Sequence, residues 1–374
     1  MEKHFANKSK LLYHICIKAL EKVFFFLYNY LEEMFMENIY NLTYEELEKF
    51  LIDNNEKKYR ASQIFEWLYD KRVSSFSLMT NLSKDLILLL ESSFSISKLE
   101  IVSEEKDIGV SKYLFKLFDG EHIESVLMRH NYGLSLCISS QVGCNMSCSF
   151  CESGRRKKVR NLNAYEMILQ IMMIEELINE KITHIVIMGI GEPFDNFDNL
   201  VRFIKIANFH KSLNIGSRHI TVSTCGIVPK IYEFSKLPFQ VNLAISLHAP
   251  NDELRNKLMP INKVYPLKEL MRSVKDYISL TNRRVTFEYI LLDGINDSKA
   301  HAKELCSLVK GLNCYINLIP YNENSNISYK RSKKDTIMNF YDIIKKENVN
   351  VTIRREFGSN ISAACGQLRS KKEG

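Results

Sequence analysis

The chain has 374 residues, with 51 basic and 44 acidic side chains and a formal net charge of +7. This length suits one large domain with a smaller one, and the mild basic excess permits a nucleic-acid partner without demonstrating one. No run of about 18 apolar residues is present, so no membrane span is expected; nine cysteines without a disulfide-like pattern indicate a reducing, cytoplasmic location.

The first 35 residues combine a basic start with an apolar run at residues 23–28. The residues after that run, beginning with Asn29 and Tyr30, lack the small side chains of a signal-peptide cleavage site. We therefore expect residues 1–35 to be an extension of unknown role, with Met36 as a candidate start of the patterned chain.

Residues 36–100 are predicted to form a small helical domain. Thr43 followed by Glu46 is a capping-box pattern, and a further helix is predicted from an N-cap at Ser83. The basic run at residues 57–60 suits contact with RNA phosphate, although a solvated charged face is the commoner explanation. We expect an accessory domain that docks RNA.

Residues 101–136 are predicted to form a β extension of the following domain. Alternating apolar residues indicate a hairpin over residues 113–128, with its turn at residues 119–120. Glu124 lies in the second strand, where an acidic side chain usually faces water. A strand at residues 134–138 then leads into a loop rich in cysteine.

That loop, CISSQVGCNMSCSFC, holds four of the nine cysteines, and three of them follow the spacing C-x3-C-x2-C. Thiolates in a loop of Cys, Gly and Ser suit an iron–sulfur centre. A three-ligand site keeps a position open for a reactant, whereas structural zinc normally takes four ligands. The alternative is a zinc site whose fourth ligand is Cys137 or a distant His or Cys. Spacing alone favours an iron–sulfur centre over zinc only modestly. The triad is Cys144, Cys148 and Cys151.

After this loop, helices and strands alternate to the end of the chain. Such alternation predicts a parallel sheet in a full or partial β/α barrel, whose reactive residues gather at the carboxyl ends of the strands. The sequences GIGEP, STCG, SLHAP and PYN all fall at such ends. Strands are predicted at residues 182–188, 219–223, 241–247, 285–291, 315–319 and 349–353.

Three features of this part of the chain are ambiguous when taken alone. Gly191 with Glu192 lets the backbone approach a ligand and offers a carboxylate to an ammonium group, but a tight turn explains the pair equally well. His248 alone is more often a packed histidine than a catalyst. Cys365, among small residues near the carboxyl terminus, is compatible with an inert buried thiol.

The triad resembles the signature of the radical S-adenosylmethionine (SAM) superfamily. A closer resemblance, from about Met36 to Leu368, is to the dual-specificity RNA adenine methyltransferases of that superfamily. It rests on CISSQVGCNMSCSFC, MGIGEPFDN, STCGIVP, ISLHAPND, LMPINK, FEYILLDGIND, NLIPYN and AACGQL. It implies an α/β fold with a partial (β/α)6 barrel in a catalytic domain at residues 101–374. It also implies a 4Fe–4S cluster, two SAM molecules per turnover, and methylation of adenine C2 in 23S ribosomal RNA (adenine 2503) and in transfer RNA (adenine 37).

The resemblance also implies a role for each candidate residue. The triad holds the cluster, Cys365 carries the methyl group, Cys137 resolves the RNA adduct through a transient disulfide, and Glu124 is the base. The residues implied to bind SAM are Gly191, Glu192, Ser223, Ser246, Leu247, His248 and Asn322.

The implied chemistry explains why two thiols are needed. C2 of adenine is electron-poor, so direct displacement on a sulfonium fails there, whereas a thiolate is methylated readily. In the family's scheme a radical derived from a second SAM takes hydrogen from the methyl group on Cys365, and the resulting methylene radical adds to C2. The implied partners are the two RNAs and an electron donor such as flavodoxin or ferredoxin, with the enzyme acting as a monomer.

Two other functions compete with this interpretation. The sister activity, methylation of adenine C8, shares the cysteines, but HAPND and the Arg354-Arg355-Glu356 sequence resemble the C2 branch more closely. A non-catalytic, zinc-bearing RNA-binding protein is the alternative from another class. The loop at residues 152–158 is more basic than in relatives, and its charge suits RNA phosphate.

Overall fold

The structure is a computed structural model that describes residues 36–324, 326–354 and 367–368. The described chain divides into two compact units. The first contains the described residues up to Leu42 together with Leu47–Ser97. The second contains Thr43–Glu46 and the described residues from Lys98 onward.

Residues 37–97 are largely helical, as predicted. The capping box is confirmed, since the Thr43 N–H donates to the Glu46 carboxylate over 2.9 Å and the Glu46 N–H donates to the Thr43 hydroxyl over 3.3 Å. Ser83 caps its helix by accepting from the Leu86 N–H. The elements are α1 Tyr44–Asp53, α2 Arg60–Phe65 with a π-helical turn at Glu66–Asp70, α3 Lys84–Ser93, and the paired strands β1 Glu37–Asn38 and β2 Phe94–Ser95.

The second unit is built on a mixed ten-stranded sheet, and a separate antiparallel pair of strands flanks the cysteine loop. The strands are β3 Glu100–Asp107, β4 Val110–Lys116, β5 His122–His130, β6 Gly133–Ile138, β7 Gln141–Val142, β8 Arg160–Asn161, β9 His184–Ile187, β10 Ile220–Thr224, β11 Asn242–Ser246, β12 Val285–Leu291, β13 Cys314–Pro320 and β14 Val351–Ile353. In the described chain the strand order of the large sheet is β14-β13-β12-β11-β10-β9-β6-β5-β4-β3, and the separate pair is β7 and β8.

The strands from β6 through β9 to β14 run parallel, and helices connect them. Strands such as β12 are buried almost throughout, as expected for a parallel strand covered on both faces. The sheet is open because β3 and β14 do not pair, so the predicted partial barrel is confirmed. The helices are α4 Ala164–Ile178, α5 Phe197–Asn208, α6 Val228–Ser235, α7 Asp252–Leu258, α8 Leu267–Thr281, α9 Lys299–Val309 and α10 Lys334–Lys346.

The antiparallel strands β3, β4 and β5 extend one side of this sheet. The hairpin β4–β5 was expected, whereas β3 was not, because Glu104, Glu105 and Lys106 make its sequence strongly charged. Such residues are typical of an edge strand, where they discourage pairing with other chains. Among the described helices, none has the length and apolar character needed to cross a membrane.

Candidate active site

The cysteine triad lies in a loop that β7 and β8 close at its base. At the loop entrance Gly143 has φ 73°, and a Cβ there would lie 2.2 Å from the Lys157 carbonyl oxygen, so only glycine fits. The Cys144 N–H donates to the Arg156 carbonyl over 2.9 Å and holds the two sides of the loop together. One cavity at the carboxyl ends of the parallel strands is lined by Cys144, Cys148 and Cys151.

Burial controls the protonation of these thiols. Desolvation raises the pKa of Cys144 to about 12 and the pKa of Cys148 well above its usual range, and neighbouring thiolates reinforce both shifts. Buried thiolates are therefore stable here only beside a positive group, which a thiolate-bound metal cluster supplies. This donor set fits a 4Fe–4S cluster with one iron open to a ligand.

A fourth cysteine, Cys225, also lines the cavity and was not predicted as a site residue. Burial and the neighbouring Glu192 carboxylate raise the pKa of Cys225 well above its usual range, and its thiol hydrogen-bonds to that carboxylate. The Cys225 thiol thus already has a hydrogen-bond acceptor in Glu192, and the candidate cluster ligands remain the three thiols of the loop.

The GIGEP turn follows β9 and brings Glu192 to the cavity. Gly191 has φ 111°, and a Cβ there would lie 2.6 Å from the Gln141 side chain. The Glu192 carboxylate is buried and accepts from the Cys225 N–H over 2.7 Å and from the Phe194 N–H over 2.9 Å. Burial raises the pKa of Glu192, and these backbone donors oppose the rise. Its oxygens thus have fixed directions before any ligand binds.

Two serines and a histidine continue the wall. The hydroxyls of Ser223 and Ser246, on the neighbouring strands β10 and β11, lie 3.4 Å apart. His248 has φ 58°, and its Nδ1 accepts from the Ile290 N–H over 3.0 Å, which leaves the ring proton on Nε2. Burial and the nearby Arg255 lower the pKa of His248 to about 3, so the ring is neutral. It offers the cavity an N–H donor without a charge.

Arg255 fixes the strand ends that carry these groups. It is fully buried, and its guanidinium donates to the carbonyls of Cys225 over 2.7 Å and of Leu247 over 3.2 Å. It also donates to Asn262 Oδ1 over 2.9 Å. The planar guanidinium thus donates hydrogen bonds to carbonyls at the strand ends, where the sheet supplies no backbone donor.

Most, but not all, of the residues expected to bind SAM meet at this cavity. Leu247 and Asn322 are not among the described residues that line the cavity. Leu247 is buried and its N–H donates to the Glu288 carbonyl, whereas Asn322 is partly exposed beyond β13. The cavity is lined by Gly191, Glu192, Ser223, Ser246 and His248, as expected.

Sequence reasoning missed one acidic residue of the wall. Glu288 on β12 is buried, and its carboxylate accepts from Asn317 Nδ2 over 2.8 Å. Burial raises the pKa of Glu288, and Arg354, which also lines the cavity, lowers it. The signal was present in the sequence, because an acid within the apolar strand FEYILL needs a polar partner.

Glu124 and Cys137 lie together on a second part of the same sheet. The expectation that the Glu124 side chain faces solvent was wrong, since its exposed fraction is 5%. The register pairs Val126 with Cys137, so Glu124, two residues before Val126, shares a sheet face with that thiol. Cys137 packs in a buried cluster with Val126, Ile190 and Leu368.

Cys365 lies outside the described residues, but both flanking parts of the chain reach the site. Arg354, on the amino side, lines the cavity. On the carboxyl side Leu368 packs in the Cys137 cluster, and its carbonyl accepts from the Ser153 hydroxyl over 2.8 Å. Ser153 itself lines the cavity, so Leu368 adjoins both regions.

The basic loop after the triad is largely engaged with the protein. Arg156 pairs with Glu121 over 2.6 Å and Lys158 pairs with Asp195 over 2.6 Å. These contacts hold the loop against neighbouring elements and reduce the charge it offers to RNA.

Two family models match the chain. The radical SAM superfamily model covers residues 138–306, which include the triad and the strands β9 to β12. The ribosomal RNA large subunit methyltransferase N-terminal domain model covers residues 37–96, within the helical region.

Full-length relatives extend this match. The chain is 53% identical over 344 residues to "Probable dual-specificity RNA methyltransferase RlmN" of Spiroplasma citri, covering 91% of this chain and 99% of the relative. It is 52% identical over 339 residues to the Bacillus subtilis protein of the same name, covering 90% and 93%. A radical SAM methyltransferase from Sphaerobacter thermophilus superposes with TM-score 0.85 at 42% identity, over 90% of this chain and all of that structure. A radical SAM core with a thiol-lined cavity and matches of this length show that the chain belongs to the dual-specificity RNA methyltransferase (RlmN) family of the radical SAM superfamily.

Proposed function

We propose that this protein methylates C2 of adenine in 23S ribosomal RNA and in transfer RNA, through a methyl group carried on Cys365. The observation that carries the proposal is the position of Leu368, which packs in the cluster of Cys137 and hydrogen-bonds to the cavity residue Ser153. Three residues span at most about 11 Å, so chain length allows Cys365 to reach both the cavity and Cys137.

The cavity supplies the cofactor part of the reaction. Cys144, Cys148 and Cys151 would hold the 4Fe–4S cluster of the superfamily, which when bound provides the electron for reductive cleavage of SAM. Glu192, whose oxygens are directed by two backbone donors, suits the SAM ammonium. The neutral His248 offers its Nε2 proton to an acceptor on the cofactor.

The neighbouring region supplies the proton and thiol chemistry. The Glu124 carboxylate is the group we assign to removal of the C2 proton, because it is buried on the face that carries Cys137. The Cys137 thiolate then attacks the sulfur of Cys365; the S–C bond to the RNA breaks, the departing carbon takes up a proton to become the methyl group, and the disulfide stays on the protein. The unpaired electron left by radical addition would return to the cluster that supplied it. Two thiols and one base thus complete the transfer without a further metal site.

We also propose how the protein docks RNA, which electron donor it uses, and its location and oligomeric state. The helical region at residues 36–100 docks the RNA, a flavodoxin or ferredoxin supplies electrons, and the enzyme acts as a cytoplasmic monomer. Family membership supports an RNA substrate.

The decisive experiment compares Cys137→Ala with Cys365→Ala during anaerobic turnover of the cluster-loaded protein. Cys137→Ala should accumulate a covalent protein–RNA adduct, visible as an RNase-sensitive shift on a denaturing gel, because no thiol resolves it. Cys365→Ala should give none, and Cys306→Ala, a buried thiol outside the cavity, should behave as the wild type. Absence of the adduct from the Cys137 variant, with RNA methylation intact, would overturn the scheme.

The position of the methyl group needs a separate measurement. Mass spectrometry of ribosomal RNA from a strain that lacks the gene should show loss of 2-methyladenine. Loss of 8-methyladenine instead would assign the protein to the C8 activity.

A further inference from the structure

Lys112 is a buried lysine beside the proposed base. It lies on β4 with a side-chain exposure of 10%, and its Nζ lies 3.6 Å from Glu124 Oε1. The same Nζ lies 2.8 Å from Oε1 of Glu105, whose side chain is 47% exposed on the edge strand β3. The ammonium therefore lies between a buried carboxylate and a surface carboxylate.

The strand register fixes this arrangement. Lys112 is directly opposite Val126 on β5 and Glu105 on β3, so its side chain shares the face of Glu124 and Cys137. The titratable and charged residues that the register places on this face, from β3 to β6, are Glu100, Glu105, Asp107, Lys112, Lys116, His122, Glu124, His130 and Cys137.

The two distances indicate different roles for the two carboxylates. A charge-assisted hydrogen bond is about 2.7–2.9 Å long, so Glu105 is hydrogen-bonded to Lys112 and orients it. The 3.6 Å separation from Glu124 is too long for such a bond, so the ammonium acts on Glu124 through its charge. The positive charge of Lys112 thus stabilises the Glu124 carboxylate electrostatically.

This stabilisation matters most once RNA covers the site. Expulsion of water disfavours a buried anion, and a carboxylate without a cationic neighbour takes up a proton from solvent. A protonated Glu124 could not then accept the proton from C2. Lys112, which hydrogen-bonds to Glu105 on its other side, opposes protonation of Glu124 and does not block the approach of RNA to Glu124.

We propose that Lys112 is a positioning residue that keeps Glu124 ionised and oriented for removal of the C2 proton. The inference rests on the proposed function, in which Glu124 is the base.

The test measures RNA methylation by the cluster-loaded, full-length protein from pH 6 to pH 9, with a 23S ribosomal RNA fragment as substrate. Lys112→Met should lower the rate at neutral pH by about tenfold or more and move the acidic limb of the profile to higher pH, so that activity recovers in base. Lys112→Arg should restore most of the rate. Methylation of Cys365 by SAM, followed as a mass increase of the peptide, should be unchanged, because that step does not use Glu124.

Lys116→Met is the matched control, since Lys116 lies on the same strand in an exposed pair with Glu100. A wild-type pH profile for Lys112→Met would overturn the inference, and so would an equal loss at every pH that arginine does not rescue. Glu124→Gln distinguishes a failure of the proposed function from a failure of the role of Lys112. If that variant methylates RNA normally, the proposed role of Glu124 fails; if it is inactive while Lys112→Met is normal, only the role of Lys112 fails.

Discussion

Two pairs of buried charged groups, one pair in each half of the large sheet, are held in different ways. In the parallel half, Glu192 and Arg255 are fixed by backbone groups, the carboxylate by two N–H donors and the guanidinium by strand-end carbonyls. In the antiparallel half, Glu124 and Lys112 face each other through side chains at 3.6 Å. Backbone partners suit a preorganised cofactor pocket, whereas side-chain partners leave room for proton transfer.

This contrast predicts two classes of variant. Changes in the parallel half should stop both the methylation of Cys365 and the methylation of RNA, because both steps need bound SAM. Changes in the antiparallel half should leave methylated Cys365 and stop only the RNA step. The following predictions test that division or the buried groups on which it depends, from the largest expected effect to the smallest.

Loss of one triad thiol should have the largest effect. Cys148→Ala removes one of three cluster ligands, so iron content, methylation of Cys365 and RNA methylation should all fall to background. Iron and sulfide analysis with peptide mass spectrometry measures this, and Cys306→Ala serves as the control. An iron-free Cys148 variant that still methylates RNA would break the comparison.

Arg255→Met should destabilise the fold strongly. It leaves the carbonyls of Cys225 and Leu247 and the side chain of Asn262 without their donor, which should cost about 3–5 kcal/mol. Urea unfolding of the apoprotein measures the change. Lys257→Met, on the exposed face of the same helix, should change stability little, and equal stabilities for the two variants would refute the buried role of Arg255.

Glu288→Ala should weaken SAM binding by about tenfold, since the variant leaves the Asn317 amide without its carboxylate and alters the wall beside Arg354. Equilibrium dialysis of labelled SAM against the cluster-loaded protein measures it, and Glu304→Ala is a control outside the cavity lining. Normal SAM binding with impaired RNA methylation would assign Glu288 to the RNA side of the division.

The smallest effect concerns His248 and pH. Its folded pKa of about 3 lies below the ordinary 6.5, so the unfolded chain binds a proton first as the pH falls. Stability from this group is complete above pH 6.5 and falls by about 1.4 kcal/mol per unit as the pH drops toward 3. In urea unfolding between pH 7 and 5.5, His248→Gln should show a shallower decline than the wild type. Equal slopes would contradict a neutral, buried imidazole.

Local patterns predicted most of the fold. Thr43 with Glu46, Ser83, and the alternation of apolar strands with amphipathic helices gave the helical region and the parallel sheet correctly. The charged strand β3 and the short helices α6 and α7 were missed. Pairing with β4 stabilises β3, and packing on α8 stabilises α6, more than their own sequences do.

The parts of the site that were predicted are those marked by cysteine spacing or by a position at the end of a strand. The triad and the strand-end residues Glu192, Ser223, Ser246 and His248 do line one cavity. The burial of Glu124 and Arg255 was not predictable, because it depends on distant strands and carbonyls. In the sequence DELRNKL, Arg255 resembles a surface residue of an amphipathic helix.

The buried position of Leu368 has a kinetic consequence. Residues 355–366, which include Cys365, connect two points that both adjoin the site, Arg354 at the cavity and Gln367 next to Leu368. In the proposed scheme the reaction between Cys137 and Cys365 is therefore intramolecular. The rate constant of product release should then be independent of enzyme concentration, and a small external thiol such as glutathione should compete poorly at low concentration.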